Sequence, residues 1–126
     1  MEATRNTPAN STQNGPLIPA HKAQPISAHT AMPIWRSILF VPASSPRFIE
    51  SATRQAADVL QIDLEDSVSP SDKASARLSV PKIAQGFTQA GKEVIVRVNR
   101  PWRLLLRDLE ASVCEAVSAI SLPKVP

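Results

Sequence analysis

The stretch Val59–Pro70, VLQIDLEDSVSP, decides the fold. It opens as an apolar, β-favouring run and closes on three carboxylates in four residues, Asp63, Glu65 and Asp66. Carboxylates are rarely buried without partners, so a strand that runs into such a cluster must end somewhere special. Successive side chains of a strand point to opposite faces. Leu60, Ile62 and Leu64 therefore share one face, and Val59, Gln61, Asp63 and Glu65 share the other. Asp66 falls just past the strand, in the following loop.

Working outward, EVIVRVN (Glu93–Asn99) repeats the asymmetry: Val94, Val96 and Val98 on one side, Ile95, Arg97 and Asn99 on the other. SILFV (Ser37–Val41) reads as an earlier strand and AISLPKV (Ala119–Val125) as a later one. Helices are predicted between them. Ser45 before Pro46 caps and starts the first, with Phe48, Ile49, Ala52 and Ala56 on one face. Ser69 and Pro70 start the second, with Asp72 in its first turn. Pro81 is expected to break or kink that helix, with a restart through Lys82–Phe87. A turn at Gly91 follows. The third helix spans Leu104–Val117, with Leu105, Leu109 and Val113 aligned.

Three strand–helix units followed by a strand predict an α/β fold with a parallel sheet and right-handed crossovers. A doubly wound sheet wants aliphatic residues on both faces. A barrel packs helices outside only, and can carry functional groups at the C-terminal ends of its strands. The one-sided polarity thus favours a TIM (β/α)8 barrel and sets Asp63, Glu65, Arg97 and Asn99 at one mouth. Four strands make only its N-terminal half. Residues 34–126 are expected to be a partial barrel domain truncated after the fourth strand, either part of a larger enzyme or a truncated gene product. Open edges and an apolar face would favour association.

The chain has 126 residues, with 14 Lys and Arg against 11 Asp and Glu and a net charge of +3. The basic excess forms no stripe, aromatics are 4% and Tyr is missing, so the footprint of nucleic-acid binding is not met. No apolar run approaches the ~20 residues of a membrane span. Cys114 is the single cysteine; it can form no internal disulfide, and it suits a reducing, cytoplasmic setting. Residues 1–33, rich in Pro, Ala, Asn, Thr and Ser, read as a disordered tail. They hold no continuous apolar segment of a signal peptide, and few Arg and no amphipathic pattern argue against a transit peptide. His21 and His29 lie there, and read as solvated side chains.

Three carboxylates within about 5 Å repel one another by a few kcal/mol at an effective dielectric near 20. A protonated member, a nearby Arg or a divalent cation would offset that. Arg97 is one partner. Mg2+, which takes oxygen ligands and keeps several waters, is another. Plainer roles stand beside these: Asp66 could cap the helix at Ser69–Pro70, and Asp63 with Arg97 could be a buried structural pair. A guanidinium in a mouth also suits recognition of a carboxylate. One Arg, several carboxylates and a hard cation fit a small oxo- or hydroxy-acid, with a polarised carbonyl and a stabilised enolate. That is carbon–carbon lyase or aldolase chemistry.

RSILFVPASSPRFIESA, DVLQIDLEDSVSPSDKASAR, EVIVRVNR and AISLPKV, in this order from Arg36 to Val125, together resemble the citrate lyase beta subunit / malyl-CoA lyase family of the HpcH/HpaI aldolases. The resemblance implies a Mg2+-dependent TIM-barrel lyase acting on acyl-CoA thioesters of hydroxy acids, citryl-CoA or malyl-CoA in type, that forms a homo-oligomer when complete. It implies that Arg97 binds the substrate carboxylate, that Phe40 lines the substrate or CoA site, and that Asn99 belongs to the same substrate-binding set. Glu65 and Asp66, with Asp63 in support, are the implied catalytic acids beside the metal and its waters. The direct metal ligands are expected beyond residue 126. The chain departs from the family at Ser45 and Ser51, where an Arg and a Lys serve the CoA moiety; Arg47 lies two residues on. A substrate without CoA therefore stays open. So does a catalytically inactive fragment, or a half-barrel that acts by association.

Overall fold

A computed structural model describes residues 34–126. The expected tail, with His21 and His29, lies outside the described residues. The elements run β1 (Ile38–Pro42), α1 (Pro46–Ala52), β2 (Val59–Asp63), α2 (Lys73–Gln89), β3 (Glu93–Arg97), α3 (Trp102–Ser112) and β4 (Ala119–Ser121). The four strands form one parallel sheet in the order β1-β2-β3-β4. Neighbours in sequence are neighbours in the sheet, as in a stretch of a TIM barrel.

Strand parity is as the sequence pattern demands. Leu60, Ile62 and Leu64 with Val94, Val96 and Val98 meet Ala76, Val80, Ile83, Ala84 and Phe87 of α2 in one core. Burying each large aliphatic or aromatic side chain there contributes roughly 1.5–3 kcal/mol. On the opposite face Val59, Gln61, Asp63 and Ile95 are also buried, whereas Ile38 and Phe40 of the edge strand β1 are exposed.

The helix boundaries differ from expectation. Ser69 and Pro70 do not start α2: the Asp72 amide donates to the Ser69 carbonyl at 3.0 Å, closing a turn, and the helix begins at Lys73. Pro81 does not interrupt it. α2 runs unbroken through Pro81 to Gln89, because the proline faces solvent while Val80, Ile83 and Ala84 around it are buried. Packing of that face outweighs the one backbone hydrogen bond that Pro81 cannot donate. The helix ends at Gly91, which adopts φ 75°; the Gly91 and Lys92 amides donate back to the Thr88 and Phe87 carbonyls, a Schellman closure.

α1 stops at Ala52, so Ala56 lies past it, and Phe48 points outward, 57% exposed. α3 stops at Ser112, where Val113 turns extended. Leu105 and Leu109 pack on the core as expected, but Val113 is exposed and Val117 folds back instead. β4 covers only Ala119–Ser121 of the expected seven-residue run. Among the described residues no helix is long and apolar enough to cross a membrane.

Candidate active site

The parallel register aligns the last residues of all four strands: Pro42, Asp63, Arg97 and Ser121 lie side by side. Asp63 and Arg97 are thus direct neighbours on the face away from the helices. Arg97 Nε donates to Asp63 Oδ1 at 2.9 Å and Nη2 to Oδ2 at 2.8 Å, a two-bond fork on a carboxylate that is 1% exposed. Asp63 also folds the loop that follows it. Its Oδ1 accepts the Glu65 amide at 2.8 Å, and its Oδ2 accepts the amide and hydroxyl of Ser67. Burial alone would push this carboxyl up; the donors from Arg97, Ser67 and the backbone outweigh it and hold the pKa at about 2. With every lone-pair direction taken, Asp63 organises the mouth instead of presenting a free carboxylate to it.

The turn so built aims the other two acids. Glu65, 7% exposed, sets Oε2 3.2 Å from Arg97 Nη1 and Oε1 2.8 Å from Lys124 Nζ. The Oε2 contact is an ion pair without hydrogen-bond alignment, so that buried oxygen has no donor of its own. Asp66 is exposed, 3.1 Å from Lys124 Nζ and 3.9 Å from Arg97 Nη1. The Asp63 contacts first, then the charges of Glu65 and Asp66, push the Arg97 pKa up against its partial desolvation. The exposed Phe40 ring lies under the guanidinium, 5.0 Å from its centre, a cation–π contact. Phe40, Glu65, Asp66 and Arg97 therefore come together, although Glu65 does so from the turn after β2, which ends at Asp63, and not from the strand face that alternation gave it.

Asn99 does not join them. β3 ends at Arg97, so its alternation no longer governs residue 99. The Asn99 side chain donates to the Leu64 carbonyl at 2.8 Å and to Asp108 Oδ2 at 2.7 Å, and its amide also donates to Asp108. Asp108, fully buried on α3, is paired with Arg77 of α2 as well. Lys73 Nζ donates to the Leu64 and Glu65 carbonyls, both at 2.8 Å. Asn99, Asp108, Arg77 and Lys73 thus brace the carboxylate turn from behind. Ser67 carries the signal of a turn residue two places after Glu65, whereas Lys124 falls within the expected strand Ala119–Val125 and carries no signal of a mouth residue. Nothing in local pattern marks Lys73, Arg77 or Asp108.

Glu65 and Asp66 suit a hard cation's waters: both are oxygen donors, and one buried oxygen of Glu65 is without a donor. They do not suffice for direct coordination. Among the described residues no three His, Cys, Asp or Glu side chains could hold a metal ion together.

The fold and this mouth define a (β/α) protein with an acid and guanidinium cluster at the C-terminal ends of its strands. Residues 36–126 match the sequence model of the HpcH/HpaI aldolase/citrate lyase family, and the chain belongs to that family. It is 38% identical over 94 residues to an L-malyl-CoA/beta-methylmalyl-CoA lyase of Cereibacter sphaeroides, covering 71% of this chain and 30% of that one. It is 35% identical over 91 residues to a citrate lyase subunit beta of Leuconostoc mesenteroides subsp. cremoris, covering 71% and 30%. A (3S)-malyl-CoA thioesterase of Cereibacter sphaeroides matches at 38% over 109 residues, covering 84% and 34%. Among solved structures, CitE of Mycobacterium tuberculosis, complexed with the triphosphate group of ATP, superposes with a TM-score of 0.53 at 33% identity, covering 69% of this chain and 37% of that one. The chain spans about a third of the length of the relatives it matches.

Proposed function

We propose that this chain supplies one side of the active site of a Mg2+-dependent carbon–carbon lyase for acyl-CoA thioesters of hydroxy acids, malyl-CoA or citryl-CoA in type. The observation that carries the reading is Arg97, held by Asp63 and flanked by Phe40, Glu65 and Asp66 where four parallel strands end. Membership of this family, with malyl-CoA lyase and citrate lyase relatives, supports that chemistry.

In this reading Arg97 recognises the carboxylate of the oxo-acid half through Nη1, which makes no bond to Asp63, whereas Nε and Nη2 each do. That commitment fixes the guanidinium plane in advance, so little ordering entropy is lost when the substrate arrives. The Phe40 face covers one side of the same guanidinium and excludes water from it. Glu65 and Asp66 would accept hydrogen bonds from the waters of a bound cation and would not ligate it directly. Bound Mg2+ would supply the Lewis acidity that polarises the reacting carbonyl and stabilises an enolate. Ser45 and Ser51 make no new cationic contact for CoA. The exposed Arg47 of α1 is the nearest replacement in sequence, and a substrate without CoA remains the alternative for that half.

The thioesterase relative supports a second reading, hydrolysis of the thioester instead of carbon–carbon cleavage. Incubating the full-length protein that carries these residues with malyl-CoA and Mg2+, and resolving products by mass, separates the two. Glyoxylate with acetyl-CoA, lost in R97A, supports the lyase. Malate with free CoA assigns the thioesterase. No turnover, together with no binding of glyoxylate or acetyl-CoA, overturns both and leaves an inactive half-barrel.

A further inference from the structure

The Glu65 carboxylate is loosely held by its own contacts. Oε2, 3.2 Å from Arg97 Nη1, accepts no aligned hydrogen bond, and Oε1 meets Lys124, whose side chain is 59% exposed. Its place at the mouth is set from the main chain instead. The peptide plane before Glu65 is pinned at both edges. The Leu64 carbonyl accepts Lys73 Nζ and Asn99 Nδ2, both at 2.8 Å, and the Glu65 amide donates to Asp63 Oδ1 at 2.8 Å. The plane after it is pinned through the Glu65 carbonyl, which accepts the same Lys73 ammonium at 2.8 Å and the Val68 amide at 3.4 Å. Peptide units are rigid, so two fixed planes fix φ and ψ of Glu65 and with them the direction of its Cα–Cβ bond. Lys73 Nζ grips both planes, whereas Asn99 grips the first.

We propose that Lys73 is a positioning residue for Glu65: by holding the Leu64 and Glu65 carbonyls together, it keeps the Glu65 carboxylate against Arg97 Nη1. Lys73 is the first residue of α2. A cation in the first turn opposes the helix dipole, so the helix gains nothing from this charge and the turn gains two charge-assisted hydrogen bonds, about twice as strong as neutral ones. Arg97 does not depend on Lys73, because the fork on Asp63 fixes its guanidinium. Loss of the ammonium should therefore disturb what Glu65 does and spare what Arg97 binds. The effect on turnover rests on the lyase reading; the placement of Glu65 does not.

The test uses the full-length protein that carries these residues. K73M keeps the length of the side chain and removes its donors; K73R restores them. Crystal structures should show Glu65 Oε2 beyond about 4 Å from Arg97 Nη1, out of ion-pair reach, in K73M and within it in K73R. In malyl-CoA cleavage K73M should lose about ten- to a hundredfold in kcat with KM little changed, and K73R should recover most of the loss. Added to E65A, K73M should cost almost nothing further, since a residue that acts through Glu65 has nothing left to position. A lysine that merely stabilises the fold would cost the same in both backgrounds. Glu65 unmoved in the K73M crystal, or losses that add in full with E65A, overturns the proposal. If K73M does not fold, N99A removes one donor from the Leu64 carbonyl and leaves the Asn99 amide on Asp108; it should displace Glu65 by less, and an unmoved Glu65 there overturns the proposal too. No product from the unaltered protein would refute the lyase reading instead, and the crystal comparison would still decide the role of Lys73.

Discussion

An aspartate paired with an arginine stands just before β2 and another ends it, and the two are not equivalent. Asp58, just before the strand, accepts the amide, Nε and Nη2 of Arg36 and the amide and hydroxyl of Ser37. Asp63, its last residue, accepts Arg97, Ser67 and the Glu65 amide. Each collects five donor contacts, and each carboxyl is held at about 2. Yet the Arg36 side chain is 79% exposed, whereas Arg97 is 21% and Asp63 1% exposed. Asp58 ties a chain entry to its neighbour, and its ion pair among the described residues is with Arg36. Asp63 sits among two more acids, with one of their oxygens left without a donor. Equal hydrogen-bond counts therefore hide unequal energetics: what separates a structural clip from a candidate site is burial plus uncompensated charge.

Removing the buried carboxylate should produce the largest effect. D63A strands the Arg97 guanidinium and the amides of Glu65 and Ser67, and should cost about 3–5 kcal/mol in urea unfolding. D58A at the other end should fall well short of it. Equal losses would break the distinction.

Acid titration comes next. Asp63 titrates at about 2 in the fold against an ordinary 3.8. Its contribution, roughly 2 kcal/mol, is therefore complete above about 3.8 and disappears as pH falls through about 2. D63N should flatten that acid limb of the stability curve. D58N shifts it in the same direction but less, because solvent screens the Arg36 pair. R97K follows in size: an ammonium cannot span both Asp63 oxygens, so about 1–2 kcal/mol of stability should go. Binding of glyoxylate should weaken at the same time, read by calorimetry.

The same contrast shows what the sequence could reveal. Period-two alternation on β2 and β3 made the parallel sheet, its helix-facing core and the placement of Asp63 beside Arg97 legible, since both residues end their strands. Extending that alternation to Asn99 went two residues too far: β3 stops at Arg97, and Asn99 is captured by Asp108 from a helix nine residues on. Pro81 and Val113 misled for a related reason. The buried neighbours of Pro81 keep α2 continuous, and only the tertiary fold decides that α3 stops at Ser112. Lys124 was quoted within a strand motif, but it meets Glu65 and Asp66 from a left-handed residue after β4 that no local pattern announces.

The smallest expected effect is at Asp58, and it tests the comparison most finely. D58N keeps one acceptor oxygen for the Ser37 amide and hydroxyl, and removes the charge seen by Arg36 together with the acceptor for its Nη2. Water already reaches Arg36 and can replace the lost attraction at the cost of little order. Thermal melting at neutral pH should thus show a shift smaller than that of R97K, which should shrink further in high salt as the pair is screened in the unaltered chain too. Glyoxylate affinity should not move, because Asp58 lies at the opposite end of β2 from the mouth. A D58N chain that loses as much stability as D63N, or that loses ligand, would mean that the two ends of β2 are coupled through the strand and that burial is not what sets them apart.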